Sequence, residues 1–218
     1  MATSGTTRLT ARGSRGHTIL ATRPLMGWRT VDLLTVAFLG VVFGVGFWAW
    51  GLGYEAPSTL LTGAFPPLAG LLAGPWLIAG VVGALVVRRP GAALFCEVLA
   101  AVVEMLVGSQ WGFATLVSGL LQGLGVEIAF GLLAWRAFGP WAAALAGACA
   151  APLEVFYEWG TYWTDWSWAW KLAYLPVVML SGAVVAGLGG WVLTKALAAA
   201  GALAAFPPGQ EARESGAV

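Results

Sequence analysis

Long runs of apolar residues, separated by short polar or Gly/Pro-containing breaks, cover the chain from about residue 28 to residue 197. A run of about 20 apolar residues is long enough to cross a bilayer as a helix. The runs are continuous and do not alternate with a period of two, as the strands of a transmembrane barrel would. The pattern therefore predicts an all-α integral membrane protein.

Six crossings are expected, and the second is unusual. Residues 59–87 are too many for one straight span, and Pro66-Pro67 and Gly74-Pro75 interrupt them. Proline removes a backbone donor and breaks a helix, so this region is either one broken crossing or two half-helices. The other five helices are predicted over residues 28–50, 91–108, 112–135, 141–159 and 172–193.

Basic residues between the apolar runs set the orientation, because short cytoplasmic loops are enriched in Lys and Arg. If the broken region crosses once, only Lys171 falls on the outer side. Two crossings there would scatter the basic residues over both sides. We therefore predict six crossings with both termini cytoplasmic. The residues that then share the inner side are Arg29, Arg88, Arg89, Arg136 and Lys195.

Composition agrees with this architecture. Of the residues, 59% are hydrophobic and 10% charged, against about 25% charged in a soluble domain. Residues 1–27 are expected to be a disordered basic cytoplasmic tail, residues 28–197 the membrane domain, and residues 198–218 an Ala-rich helix end with a polar tail. Cys96 and Cys149 both lie in apolar runs, so no disulfide framework is indicated. With one histidine, neither a metal site nor a cofactor is expected.

The stretch 97–112, EVLAAVVEMLVGSQWG, carries two carboxylates inside an apolar run. Glu97 and Glu104 are two helical turns apart and share one helix face. An acid in lipid is costly and indicates function unless a neighbouring helix accepts a hydrogen bond from its protonated form. Both interpretations stay open for these two residues. Glu97 and also Glu127 are placed deeper, toward the cytoplasmic half.

Acidic, amide and aromatic side chains converge on the outer half under this topology. Aromatic faces hold flat rings and attract cations, and carboxylates accept hydrogen bonds from amino groups. A small, flat, cationic or amino-bearing solute would suit such a pocket. For Trp166, Trp168 and Trp170 an interfacial aromatic belt is favoured instead. The candidate binding residues are Glu104, Gln110, Trp111, Gln122, Glu154, Tyr157, Glu158, Tyr162 and Trp163.

Motifs of enzymes and ATP-driven motors are not found in the sequence. It has no phosphate-binding loop, no H-E-x-x-H and no G-x-S-x-G, so neither an ATP site nor a catalytic site is predicted. One alternative to a binding protein is a proton-coupled carrier that uses Glu97 or Glu127 as a relay. A membrane-embedded enzyme is a third possibility.

The stretch 97–112, together with the preceding PPLAGLLAGPWLIAGVVGALVVRRPGAALFC, resembles the YkoE-type substrate-binding subunits of energy-coupling factor transporters. The resemblance covers roughly residues 28–197. It implies a multi-pass subunit of the prokaryotic plasma membrane that binds hydroxymethylpyrimidine or thiamine from outside. It further implies a membrane coupling subunit and two cytoplasmic ATPase subunits as partners. Which of the two ligands binds, and whether the energising module is dedicated or shared, stays open.

Helix 1 carries a small-xxx-small step, Gly40 to Gly44, that lets another helix approach closely. Family members use such a step on helix 1 to dock on the coupling subunit, so the resemblance assigns Gly40 and Gly44 to docking. The alternative is that the step serves packing within the six-helix bundle.

Overall fold

The computed structural model describes residues 26–216, which contain helices, turns and loops and no β-strand. The all-α prediction is therefore confirmed for this part of the chain. The predicted basic tail lies almost wholly outside the described residues. The helices are α1 Thr30–Ala64, α2 Ile78–Val87, α3 Ala92–Val107, α4 Ala114–Leu132, α5 Pro140–Thr161, α6 Trp168–Ser181, α7 Gly190–Ala199 and α8 Pro207–Gly216.

Three of the described helical stretches are long and apolar enough to cross a membrane. They are α1, α4 and the continuous stretch Trp168–Ala199, in which a π-helical segment, Gly182–Gly189, joins α6 to α7. A fourth candidate is the pair Pro66–Leu72 and Gly74–Val87, bent by 45° at the break between them. Helix α3 has 16 residues, fewer than the roughly 20 of a typical span.

The second apolar region is broken, as predicted. Two 3₁₀ turns, Pro66–Leu72 and Gly74–Leu77, precede α2. The hydroxyl of Ser181 accepts the Gly74 N–H at 3.0 Å and donates to the Leu71 carbonyl at 2.6 Å. A helix break inside a membrane is tolerated when other protein groups form hydrogen bonds with the backbone N–H and C=O groups that it leaves unpaired. Here a side chain of α6 supplies those hydrogen bonds.

Helix α1 ends 14 residues later than predicted, at Ala64 and not at Trp50. The extension passes through Pro57 without a break. It is held by tertiary contacts that the sequence pattern does not reveal. Gln110 donates to the Gly51 carbonyl at 3.4 Å, and the ring of Tyr54 packs on two tryptophans of the site described below.

The small-residue face of α1 is buried against α3. A Cβ added at Gly40 would lie 2.9 Å from the Leu99 Cβ, and one added at Gly44 would lie 2.5 Å from the Ala100 carbonyl oxygen. Both distances are too short for a side chain, so the step exists to let α3 approach. The contact with α3 supports the internal-packing alternative for Gly40 and Gly44. Their docking on a coupling subunit stays a prediction.

Charged side chains tie together one end of the bundle. Arg29 pairs with the buried Asp32 through its Nε at 2.9 Å, and Arg89 Nε lies 4.0 Å from the same carboxylate. Arg88 bonds Glu211 of α8 at 2.9 Å. The start of α1, the turn between α2 and α3, and α8 are therefore neighbours. Helix α8 covers most of the predicted polar tail, and its contacts with α2 and α7 are not visible in the local sequence.

Glu127 of α4 lies at the same end and caps α3. Its carboxylate accepts backbone N–H groups of Gly91 at 3.0 Å, Ala93 at 2.9 Å and Leu94 at 3.2 Å. The first amides of a helix have no partner within the helix, and the N-cap of α3, Gly91, has no side chain to supply one. Glu127 therefore serves as a cap contributed by another helix.

We expect Glu127→Gln to lower the free energy of unfolding by about 1 kcal/mol. The amide keeps one acceptor oxygen but loses the negative charge that a helix N-terminus favours. Thermal unfolding in detergent measures the effect, with Glu214→Gln on the exposed face of α8 as the control. Equal unfolding midpoints for the two variants would contradict the capping role.

Candidate ligand-binding cavity

A cavity of about 240 Å³ lies inside the bundle. Its walls come from α1, the broken segment before α2, and helices α3, α4, α5 and α6. The small residues Gly119 and Gly123 of α4 let α4 approach α3 beside the cavity, since a Cβ at Gly119 would lie 2.5 Å from the Ala101 Cβ. Most of the bundle thus contributes to one site.

Four glutamates line the cavity and no Lys or Arg does, among the residues that the structure describes. Glu97 and Glu154 are buried at 0% and 6% exposure. Glu104 is also buried and accepts hydrogen bonds from Trp76 Nε1 at 3.2 Å and from the Ser109 hydroxyl at 3.4 Å. The fourth, Glu158, lies one turn after Glu154 on α5. The cavity is therefore rich in acceptors and lacks a protein counter-charge.

Several polar atoms at the cavity are buried and have no hydrogen-bond partner within residues 26–216. They are Oε1 of Glu97, Oε2 of Glu154, Oε2 of Glu158 and Nε1 of Trp163. Buried polar groups in proteins are almost always hydrogen-bonded. Three unpaired acceptors and one unpaired donor around one cavity indicate a polar ligand that supplies the partners.

Aromatic rings form two clusters on the cavity walls. In the first, Tyr54 packs edge-on against Trp76 at 5.3 Å and Trp111 at 5.8 Å, and these two tryptophans are 5.2 Å apart between ring centroids. In the second, Trp163 contacts the ring of Tyr174 at 6.0 Å. Such flat apolar surfaces suit a planar ring.

The mouth of the cavity opens into a vestibule on the side of the α5–α6 loop. Tyr54, Ser58, Trp111 and Trp163 line both spaces. The extension of α1 therefore covers one side of the mouth and the loop after α5 the other. Tyr162 lies at the start of that loop, and burial raises the pKa of its phenol to about 12. The phenol stays a neutral hydrogen-bond donor at physiological pH.

The structure brings together most of the residues predicted to bind a ligand. Seven of the nine line the cavity, namely Glu104, Trp111, Gln122, Glu154, Glu158, Tyr162 and Trp163. Gln110 lines only the vestibule. Tyr157 lines neither space and instead packs its ring on Tyr162 at 6.4 Å. Glu97, which was expected deeper in the membrane, also reaches the cavity wall.

Sequence reasoning missed Tyr54, Ser58, Trp76 and Tyr174, all of which line the cavity. Trp76 follows the Gly74-Pro75 break, and an aromatic residue at a helix break was a usable signal. Tyr174 carries a hydroxyl inside the apolar run of the last predicted crossing, and this polar group was a second usable signal. Tyr54 and Ser58 lie beyond the predicted end of α1 and had no such signal.

The arrangement fits binding more closely than catalysis. It offers carboxylate acceptors, neutral donors and flat aromatic surfaces to a flat solute that carries an amino group or a positive charge. No group of three or more His, Cys, Asp and Glu side chains in residues 26–216 is placed to hold a metal ion.

Comparisons with known proteins agree on a transporter component. A family model described as "ABC-type cobalt transport system, permease component" matches residues 31–153. The "Putative HMP/thiamine permease protein YkoE" of Bacillus subtilis (strain 168) is 31% identical over 192 residues, which are 87% of this chain and 94% of that protein. A solved structure, "Crystal structure of an S-component of ECF transporter", matches with a TM-score of 0.80 and 30% identity over 87% of this chain and 95% of that one.

Proposed function

Because the chain belongs to the YkoE-type substrate-binding (S) components of energy-coupling factor transporters, we propose that it captures thiamine or its hydroxymethylpyrimidine precursor from outside the cell. The observation that carries the ligand class is the buried cavity, with four glutamates, no basic residue among its described lining, and aromatic rings on two walls. The proposed binding residues are the seven predicted ones that line it, with Tyr54, Trp76 and Tyr174 added.

Both ligands carry a flat aminopyrimidine ring, and thiamine adds a thiazolium ring with a permanent positive charge. The ring fits between the two aromatic clusters, where stacking contributes to affinity. The exocyclic amino group donates to the unpaired carboxylate oxygens, and such charge-assisted hydrogen bonds are stronger than neutral ones. The thiazolium supplies the counter-charge that the protein does not place in the cavity.

The description of the matching family model names cobalt, so a cobalt ion is the competing ligand. The cavity argues for an organic molecule, since its described lining contains no histidine or cysteine. Transition metals of this kind are usually held by imidazole or thiolate ligands in a compact group. The large aromatic surface would also have no role around a bare ion.

Delivery into the cell is proposed to require a membrane coupling subunit and two cytoplasmic ATPase subunits. We propose six crossings with both termini cytoplasmic, which requires the short α3 and the Ala-rich α5 to span as well. Support comes from the charged end of the bundle, where Arg29, Arg88 and Arg89 lie together. Basic residues concentrate on the cytoplasmic side, and the cavity mouth lies at the other end of α3.

Titration of the purified protein in detergent tests the ligand directly. Thiamine, hydroxymethylpyrimidine and cobalt chloride are each added in a calorimeter. We expect saturable binding of one or both organic ligands with one site per chain, and mass spectrometry of the untitrated protein identifies any ligand that copurifies. Binding of cobalt alone would replace the proposal with metal transport.

Trp163 on the cavity wall is expected to contribute to affinity by stacking. An aromatic pair is worth about 0.5–1.5 kcal/mol beyond the area that it buries, so Trp163→Ala should weaken thiamine binding several-fold or more. Trp168→Ala is the matched control, because Trp168 is 69% exposed and does not line the cavity. Equal affinities of both variants would remove Trp163 from the site.

The isolated chain is expected to bind its ligand without accumulating it. In liposomes that contain only this chain, a proton gradient should drive no uptake of radiolabelled thiamine. The carrier alternative needs Glu97 or Glu127 as a relay, yet both carboxylates accept backbone N–H groups at helix starts. Gradient-dependent uptake that is lost in Glu127→Gln would favour the carrier.

A further inference from the structure

Glu97 sits in the middle of α3 and its two carboxylate oxygens have different surroundings. Oε2 accepts the backbone N–H of Gly80 at 2.5 Å. Oε1 is buried and has no hydrogen-bond partner among the described residues. The side chain as a whole is 0% exposed and lines the cavity. One oxygen thus accepts a hydrogen bond from the backbone, and the other has no hydrogen-bond partner among the described residues.

The Gly80 amide explains why Oε2 is fixed. Gly80 is the third residue of α2, directly after the broken segment, and the first amides of a helix lack partners within it. The N-cap residue of α2, Leu77, provides no side-chain cap. Glu97 therefore caps a half-helix that starts inside the bundle, just as Glu127 caps α3. The difference is that Glu127 does not reach the cavity.

Glu97 lies at the closed end of the cavity. It precedes Glu104 by seven residues, which is about 10 Å along a helix. Glu104 is on the side of the mouth, where it accepts a hydrogen bond from Trp76. Around Glu97 the walls are tight, because a Cβ added at Gly123 would lie 3.0 Å from the Glu97 Cβ. Only the leading end of a ligand can reach this position.

We propose that Glu97 is a specificity-determining residue whose Oε1 accepts a hydrogen bond from the amino group of the bound pyrimidine, while Oε2 holds the start of α2. The inference rests on the proposed function, and it adds the direction in which the ligand enters. The amino edge of the pyrimidine leads and points to the closed end. In thiamine, the thiazolium then lies nearer the mouth.

The competing view is that Glu97 is a cap and nothing else. A cap needs one oxygen and would leave Oε1 as a buried acceptor without a partner, which is unfavourable. Glu127 shows the arrangement of a pure cap, since its two oxygens together accept three N–H groups. Glu97 also lines the one space in which a ligand is proposed to bind, and Glu127 does not.

The test measures two ligands against three proteins by calorimetry. The ligands are hydroxymethylpyrimidine and its analogue with hydrogen in place of the amino group, and the proteins are the unchanged chain, Glu97→Gln and Glu127→Gln. Glutamine can still accept the Gly80 N–H but turns a donor toward the ligand. We expect Glu97→Gln to weaken hydroxymethylpyrimidine about 10- to 100-fold, as for loss of a hydrogen bond to a charged group. Glu127→Gln should leave the affinity unchanged.

The analogue decides whether the two groups meet. The analogue should bind the unchanged chain about as weakly as hydroxymethylpyrimidine binds Glu97→Gln. The Glu97→Gln change should then reduce the affinity for the analogue little further, because two changes that remove the same contact do not have additive effects on binding free energy. Unchanged affinity of Glu97→Gln for hydroxymethylpyrimidine, or fully additive losses, would reduce Glu97 to a cap. If the unchanged chain binds neither hydroxymethylpyrimidine nor thiamine, the proposed function itself is wrong.

A second variant covers the case in which Glu97→Gln does not fold. In Gly80→Ala the added Cβ would lie 3.1 Å from Glu97 Oε2, which shifts the carboxylate and leaves its charge. This variant should also weaken hydroxymethylpyrimidine more than the analogue. Equal weakening of both ligands would contradict the contact between Glu97 and the amino group.

Discussion

Replacing both Glu154 and Glu158 with glutamine is expected to weaken thiamine binding by about a hundredfold or more, since each hydrogen bond to a charged group is worth about 1.5–3 kcal/mol. The two residues lie one turn apart on α5 and both line the cavity. Each has a buried Oε2 without a partner in the described structure. A positively charged ligand supplies the counter-charge that these two glutamates lack within the protein. The neutral glutamine side chains of the double variant attract a cation less strongly.

Calorimetry with thiamine and hydroxymethylpyrimidine separates charge from hydrogen bonding. The double variant should lose more affinity for thiamine, which is a cation, than for hydroxymethylpyrimidine, which is neutral. Asp165→Asn is the control, because Asp165 is an exposed acid near the mouth that lines neither the cavity nor the vestibule. If the double variant binds both ligands like the control, the acid pair does not contact the ligand.

The all-α class and the positions of most helices along the chain could be predicted because membrane helices need long apolar runs and the breaks between them need Gly, Pro or Arg. Helices α3 and α5 begin and end within two residues of the prediction. The end of α1 was wrong because residues 51–64 are not an apolar run. That segment is helical through its contacts with the cavity rim, such as the packing of Tyr54 on Trp76.

The acids of the cavity were identifiable because carboxylates are rare in membrane segments and each one calls for an explanation. Their aromatic partners were harder to identify. Whether Trp76 faces the cavity or the lipid depends on the 45° bend of the broken segment, and a sequence of Gly and Pro predicts a bend without its direction. The same limit applies to Gly40 and Gly44, since glycine spacing shows that something approaches closely but does not show which helix.

The packing of α3 on Gly40 leads to an expectation for Gly40→Trp that is opposite to the one a docking face would give. On a docking face, the substitution would leave the isolated chain stable and would disturb only its assembly with the coupling subunit. In the structure, even a Cβ at Gly40 would lie 2.9 Å from the Leu99 Cβ and 3.1 Å from the Cys96 carbonyl oxygen. An indole must push α3 away from α1. Overpacking a tight contact typically lowers the free energy of unfolding by about 1–3 kcal/mol and sometimes more. For Gly40→Trp we expect a loss at the upper end of this range.

Ligand binding should fall together with stability in Gly40→Trp, because α3 carries Glu97 and Glu104 on the cavity wall. Thermal unfolding and thiamine titration of the isolated chain in detergent measure both. Gly46→Trp is the matched control, since Gly46 is exposed on the same helix and an added Cβ there would meet nothing within 4 Å. A Gly40→Trp variant that binds thiamine normally, yet fails to copurify with a coupling subunit, would show that α3 yields and that this face docks the partner.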